Sequence, residues 1–196
     1  MTTDPRQPRR RGESVRRAVL EAAAAELLAT GAEHVTIAAI AARAGVHETS
    51  IYRRWTTKEA LLLDTAQEQT TSGVAQPDTG SFRGDLVALT LSLDSFLSSP
   101  IGGALLRVAM TASTADGAAA REAFWRDRLR EGEVIIGRAR SRGEVRSAVS
   151  LDLLMQVLTG TVQLRGIFGG RKLDTREAES LVDLLLTGAG EPSSLS

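Results

Sequence analysis

The chain of 196 residues contains no cysteine. That absence excludes a disulfide framework, a thiolate metal site and a cysteine nucleophile, and it fits a cytoplasmic protein. Aromatic residues make up only 4%, so the core must be largely aliphatic. Net charge is missing too, with 24 Lys/Arg against 24 Asp/Glu. A non-specific architectural DNA protein would be strongly basic, so this balance opposes that role. No apolar run reaches the roughly 18 residues of a membrane span, and no apolar segment of signal-peptide type follows the N-terminal arginines. An alternating strand pattern, an internal repeat and a glycine-rich phosphate loop are also lacking. The two histidines, His34 and His47, fall in no metal-binding or acid–base spacing. Asp116, Glu122 and Asp127 read as solvated helix charges. Neither an enzyme nor a metal or other cofactor is therefore expected.

What is present is helical periodicity and an uneven distribution of charge. Residues 1–66 hold 10 Lys/Arg and 8 Asp/Glu, and the remainder holds 14 and 16. Arg6, Arg9, Arg10, Arg11, Arg16 and Arg17 face only Asp4 and Glu13. Residues 1–12 read as a flexible basic arm suited to the DNA backbone, with Arg9, Arg10 and Arg11 as contacts. Val15, Ala18, Val19 and Ala22 then follow helical spacing over about 14–30, and Gly31 stops the helix. Thr36 stands as an N-cap before a short helix to Arg43. Another short helix covers about 47–54, and a fourth starts at Thr57 and runs toward Gln69. Residues 70–80 carry the Thr, Ser, Gly and Pro of a linker.

Five more helices follow, over about 81–98, 101–113, 117–141, 150–168 and 174–188. The fold class is all-α with about nine helices. A helix-turn-helix domain over 13–70 precedes a larger helical domain over 81–188, and 189–196 form a flexible tail.

The stretch 36–55 has what a helix-turn-helix needs. Two closely crossing helices require a small residue at the crossing, and Ala41 supplies it four residues before Gly45. Gly45 suits a turn that demands positive φ. Ile37, Ile40, Ala44, Val46 and Ile51 are the apolar positions of the corner. His47, Glu48, Thr49, Ser50 and Arg53 leave the second helix with a polar face for the major groove. Tyr52 has a hydroxyl to offer a phosphate, and Trp55 reads as packing the helix back onto the first helix.

The run T-I-A-A-I-A-A-R-A-G-V-H-E-T-S-I-Y-R-R-W-T-T-K-E-A-L, residues 36–61, resembles the TetR family of bacterial transcriptional regulators. The resemblance covers roughly residues 12–66 and rests on A-G-V, I-Y and W-x-x-K-E-x-L. A weaker likeness continues with G-E-V-R at 143–146 and the very apolar helix after it. The resemblance implies that Thr36 and Lys58 bond phosphates, Lys58 with help from the positive end of its helix dipole. It also implies that His47, Glu48, Thr49 and Ser50 face bases or nearby backbone, and that Tyr52 and Arg53 touch phosphates or base edges. Glu48 departs from many relatives, which carry Lys there. A carboxylate repels phosphates but accepts from cytosine N4, so it adds selectivity or pairs with a neighbour such as Arg53.

The second domain resembles the ligand-binding and dimerisation half of the same family. The implied partners are a double-stranded operator, a second copy of the chain and a small-molecule inducer. Phe96, Leu105, Met110, Trp125, Leu129, Gln163 and Phe168 are candidates to line a ligand cavity. Leu154, Leu158, Leu181 and Leu185, on the two last helices, are candidates for the homodimer interface. The resulting expectation is a ligand-released repressor on a pseudo-palindromic site, with an activator of the same architecture as the alternative.

Overall fold

A computed structural model describes residues 7–74, 76–111, 115–145, 150–168 and 171–187, with backbone alone for 7–11. The expected tail at 189–196 and the first six residues lie outside this range. The described residues form nine α-helices and no strand. These are α1 (Gln7–Thr30), α2 (Ile37–Ala44), α3 (Glu48–Tyr52), α4 (Lys58–Gly73), α5 (Phe82–Leu97), α6 (Pro100–Thr111), α7 (Ala115–Ser141), α8 (Leu151–Ile167) and α9 (Thr175–Thr187). None of them is long and apolar enough to cross a membrane.

Three boundaries differ from the sequence reading. Helix α1 begins at Gln7 rather than Ser14, so residues 7–12 are helical instead of part of a flexible arm. Arginine is a good helix former, and a helix once nucleated extends at little cost. Helix α4 runs through the first residues of the expected linker to Gly73. Thr70 there is buried, and its hydroxyl donates to the Ala66 carbonyl at 2.7 Å. Tertiary burial thus overrides the weak helix propensity of a Thr-Thr-Ser run. Helix α3 is shorter than expected. The Arg54 N–H already reaches back to Ile51, only three residues away, and the chain leaves the helix there.

The chain divides into two compact units. The first holds the residues up to Thr70 together with Pro100–Phe124. Leu20, Leu27, Val35, Ile40, Ile51, Leu61 and Leu62 form its aliphatic interior, and α6 packs on α1. The second unit holds Thr71–Ser99 and the chain from Trp125 onward. Its core joins Phe82, Leu86 and Leu89 of α5, Ile135 and Ile136 of α7, Leu154, Met155 and Leu158 of α8, and Val182 of α9. Ser81 and Ser150 cap α5 and α8 by accepting from the N–H groups of Gly84 and Leu153. Each cap satisfies a donor that the helix itself leaves orphaned.

Candidate nucleic-acid interface

The corner is built from local chemistry. Thr36 is extended, at φ −124°, and its hydroxyl oxygen accepts from the Ala39 N–H at 3.2 Å. Its own O–H therefore remains free to donate at the positive end of α2. Gly45 takes φ 66° and ψ 34°, and its N–H turns back to the carbonyls of Ala41 and Ala42. Val46 N–H donates to Ala41 O at 3.0 Å and closes the turn. Ile37, Ile40, Ala41 and Ile51 are buried beneath it. Ala41, 4% exposed, lies on the buried side of α2, which packs against α3.

The turn leaves α3 with a polar outer face. His47, Glu48, Thr49, Tyr52 and Arg53 are exposed, and Ser50 is half-buried. Among the described residues no cation lies within ion-pairing distance of Glu48. Of the two alternatives for Glu48, the pair with Arg53 does not form, and the carboxylate has no described partner in its own chain. Lys58, half-buried at the start of α4, donates to the Val35 carbonyl at 3.2 Å. That bond holds the ammonium beside the N-terminus of α2, with two further N–H groups left for an anion. Arg9, Arg10 and Arg11 lie on α1 by their backbone, and their side chains are outside the described set.

Behind α3 the contacts are polar and specific. Trp55 is 6% exposed, and its indole N–H donates to Asp64 Oδ2 on α4 at 2.9 Å. The other oxygen of Asp64 accepts from Arg16 of α1 at 2.6 Å. Arg16 also reaches Glu68 at 3.1 Å and Glu13 at 3.5 Å. Burial lowers the Arg16 pKa, but the bonds to Asp64 and Glu68 outweigh it and the net direction is upward. The guanidinium of Arg54 lies 5.6 Å from the Trp55 ring centroid. Sequence reading gave Trp55 an inward role but missed Asp64 and Arg16. Their pairing joins residues 48 positions apart, and neither stands in a motif.

In the second unit the predicted site residues fall differently. Phe168 is 82% exposed and does not line an enclosed cavity. In the first unit, Met110 is 60% exposed, which removes it likewise, while Leu105 is buried in α6. Phe96, Trp125, Leu129 and Gln163 are half-buried, with Trp125 and Leu129 packed on the core. An open cleft of about 490 Å³ lies along Thr161, Arg165, Arg171, Asp174 and Glu177. Its lining mixes these charged and hydroxyl residues with Leu173 and Leu181, and it contains none of the residues expected to line a ligand cavity.

Leu154 and Leu158 are 9% and 0% exposed, buried inside their own unit. Their side chains are committed to the core of that unit, a correction to their expected interface role. Leu181 and Leu185 are half-buried, and Leu185 packs on the core. The apolar surface of α8 lies on its other side, at Leu153, Val157, Leu164 and Ile167, which are 61%, 41%, 56% and 41% exposed.

Two family models together cover most of the chain. Residues 19–65 match the bacterial regulatory proteins of the tetR family, and residues 76–185 match the tetracyclin repressor-like C-terminal domain. The chain belongs to the TetR family. It is 36% identical to the HTH-type transcriptional regulator AqdR of Rhodococcus erythropolis over 91% of this chain and 86% of the relative. The crystal structure of the TetR family regulator SCO0332 matches with TM-score 0.76 at 29% identity, covering 90% of this chain and 99% of that one. TylP, a TetR regulator from Streptomyces fradiae, matches with TM-score 0.64 at 26% identity over 94% and 90% of the two chains. The protein is thus a DNA-binding transcriptional regulator with a helix-turn-helix head. As in the rest of the TetR family, its work is regulation by binding DNA rather than catalysis.

Proposed function

We propose that this TetR-family protein is a homodimeric repressor that reads a pseudo-palindromic operator with α3 and is released by a small molecule. The observation that carries the dimer is the apolar stripe on α8. Leu153, Val157, Leu164 and Ile167 recur at helical intervals on the side opposite the core. Leu184 of the adjacent α9 is half-exposed as well. A second copy of the same surface would remove this stripe from water, and a two-fold pair of heads would double the base contacts.

In this reading His47, Glu48, Thr49 and Ser50 face the bases. Thr36, Tyr52, Arg53 and Lys58 hold the phosphates, and the arginines at 9–11 extend the backbone contact. Phe96, Trp125, Leu129 and Gln163 are the remaining candidates for the inducer site. Helix α4 carries both Asp64, which anchors Trp55, and Thr71, which accepts from Arg128 of α7 at 2.8 Å.

Selection of bound duplexes from a random pool tests this directly. The expected product is an inverted repeat whose half-sites are about one helical turn apart, or a multiple of it. A single asymmetric half-site would sink the dimeric reading. Substitution of Thr49 or Ser50 should alter the selected bases, and an unchanged motif would confine both to backbone contact.

A further inference from the structure

Helix α3 has little of its own to hold it in place. It is five residues long, buries Ile51 alone, and its N-cap His47 makes no side-chain bond. Beyond the turn at Gly45 and the buried Ile51, its orientation depends on the residues that follow it. Trp55, three residues past its end, is the first deeply buried side chain there. The indole N–H has one acceptor, Asp64 Oδ2, while Oδ1 of the same carboxylate receives Arg16 from α1. A single side chain on α4 thus fixes both the exit of α3 and the helix behind it. Arg16 is charged at every pH of interest, and Asp64, with side-chain exposure of 27%, meets it at 2.6 Å. A charge-assisted bond at that distance is geometrically demanding.

We propose that Asp64 is a positioning residue for DNA reading: by bridging Trp55 and Arg16 it sets the angle at which α3 is presented to the base edges, without itself meeting DNA. The proposal rests on the reading of α3 as the groove helix. Glu68 supplies an internal contrast. It is a second carboxylate on Arg16, at 3.1 Å, yet the structure shows no bond from it to Trp55. Positioning and mere stability make different demands on binding. A domain that is partly unfolded loses specific and non-specific DNA alike. A folded head with a tilted α3 loses base contacts and keeps its phosphate attraction, so only the specific component falls.

The test uses the full chain, the duplex it selects from a random pool, and an unrelated duplex of equal length. Asp64→Asn and Trp55→Phe should each weaken the selected duplex by about tenfold, with the unrelated duplex and the salt slope changed by less than about twofold. The double variant should be no weaker than the worse single variant, because both break one bridge. Glu68→Gln should bind as the parent does. Equal loss on both duplexes, an equal loss in Glu68→Gln, or unchanged affinity in both bridge variants overturns the proposal. Where Asp64→Asn loses its helical circular dichroism, Trp55→Phe alone decides by the same ratio. Failure of the parent chain to select any duplex would instead count against α3 as the groove helix.

Discussion

Helix α3 is five residues long and buries Ile51 alone, whereas α8 is 17 residues long and carries apolar side chains on two opposite sides. The outer face of α3 is His, Glu, Thr, Tyr and Arg, and that of α8 is Leu, Val, Leu and Ile. The short helix is held by bonds from other helices and spends its own side chains on a polar surface. The long helix anchors itself with Leu154, Leu158 and Val162 and still has a second stripe uncovered. A surface rich in donors and acceptors suits the grooves of DNA. An apolar stripe suits a protein surface of the same kind. The difference teaches that burial in one chain, rather than apolarity in the sequence, separates core from interface.

The two stripes of α8 should respond to substitution in opposite ways. Leu158→Ala should destabilise the chain itself by about 2–5 kcal/mol, because it opens a cavity among fully buried neighbours. Leu164→Arg should leave the fold intact and split the dimer, since it would place an unpaired charge in the apolar contact. Chemical denaturation and sedimentation at micromolar concentration give the two readouts. The expected outcome is a loss of stability in the first variant and a monomeric mass in the second. A Leu164→Arg protein that remains dimeric would move the interface away from this stripe.

A second cut falls on the turn that presents α3. Gly45→Ala meets open space, with no atom within 4 Å of an added Cβ, so crowding has no part in its effect. The cost comes from φ 66° alone, and a left-handed conformation costs a non-glycine residue about 1–2 kcal/mol. Thermal unfolding of the full chain should show that loss, together with weaker DNA binding. A stability equal to the parent's would mean that the turn relaxes to another backbone path.

These cases also show what a sequence makes legible. Thr36, Ala41 and Gly45 act through residues within four positions of themselves, so their spacing was enough to find the corner. The nine helices could be read from periodicity for the same reason. The apolar side of α8 was not resolved, because Leu153 and Leu154 are equally apolar and a helix that is apolar on two sides has no single phase. Leu154 and Leu158 carry the same apolar pattern as an interface stripe, yet the structure buries them in the core. Met110 and Phe168 are apolar residues whose exposure depends on the ends of their helices, which periodicity does not determine. The Trp55–Asp64–Arg16 bridge depends on α1, α4 and the segment after α3 meeting, and no local pattern encodes that meeting.

Lys58→Ala probes the polar side of the comparison with a smaller effect. The side chain anchors on the Val35 carbonyl and keeps further donors for a phosphate. Removing one phosphate contact per head should weaken all duplexes similarly and lower the salt slope by about one unit per head. An unchanged slope would leave Lys58 with the Val35 bond as its whole role.

The smallest expected effect concerns how the core of the second unit is closed at its edge. Glu144 accepts from the Phe82 N–H at 2.6 Å and from both Nε and Nη2 of Arg142 at 3.0 Å. The bonds from Arg142 are the main cause that holds its pKa below 4.5, against desolvation, with the Phe82 N–H adding in the same direction. A carboxyl depressed in the folded state stabilises fully above its unfolded pKa and loses that contribution as pH falls through the folded value. Arg142 is raised, mainly by the same bond, and stays charged throughout. Glu144→Gln keeps an oxygen for the Phe82 N–H and removes the charge. Its melting temperature should therefore lie slightly below the parent's at pH 7, with the gap closing as both proteins are taken below about pH 4.5. Other paired carboxylates, such as Asp183 with Arg83, titrate in both proteins and cancel in the difference. A gap that stays constant down to pH 3 would show that the Glu144 charge contributes nothing and that the Phe82 bond alone closes this edge.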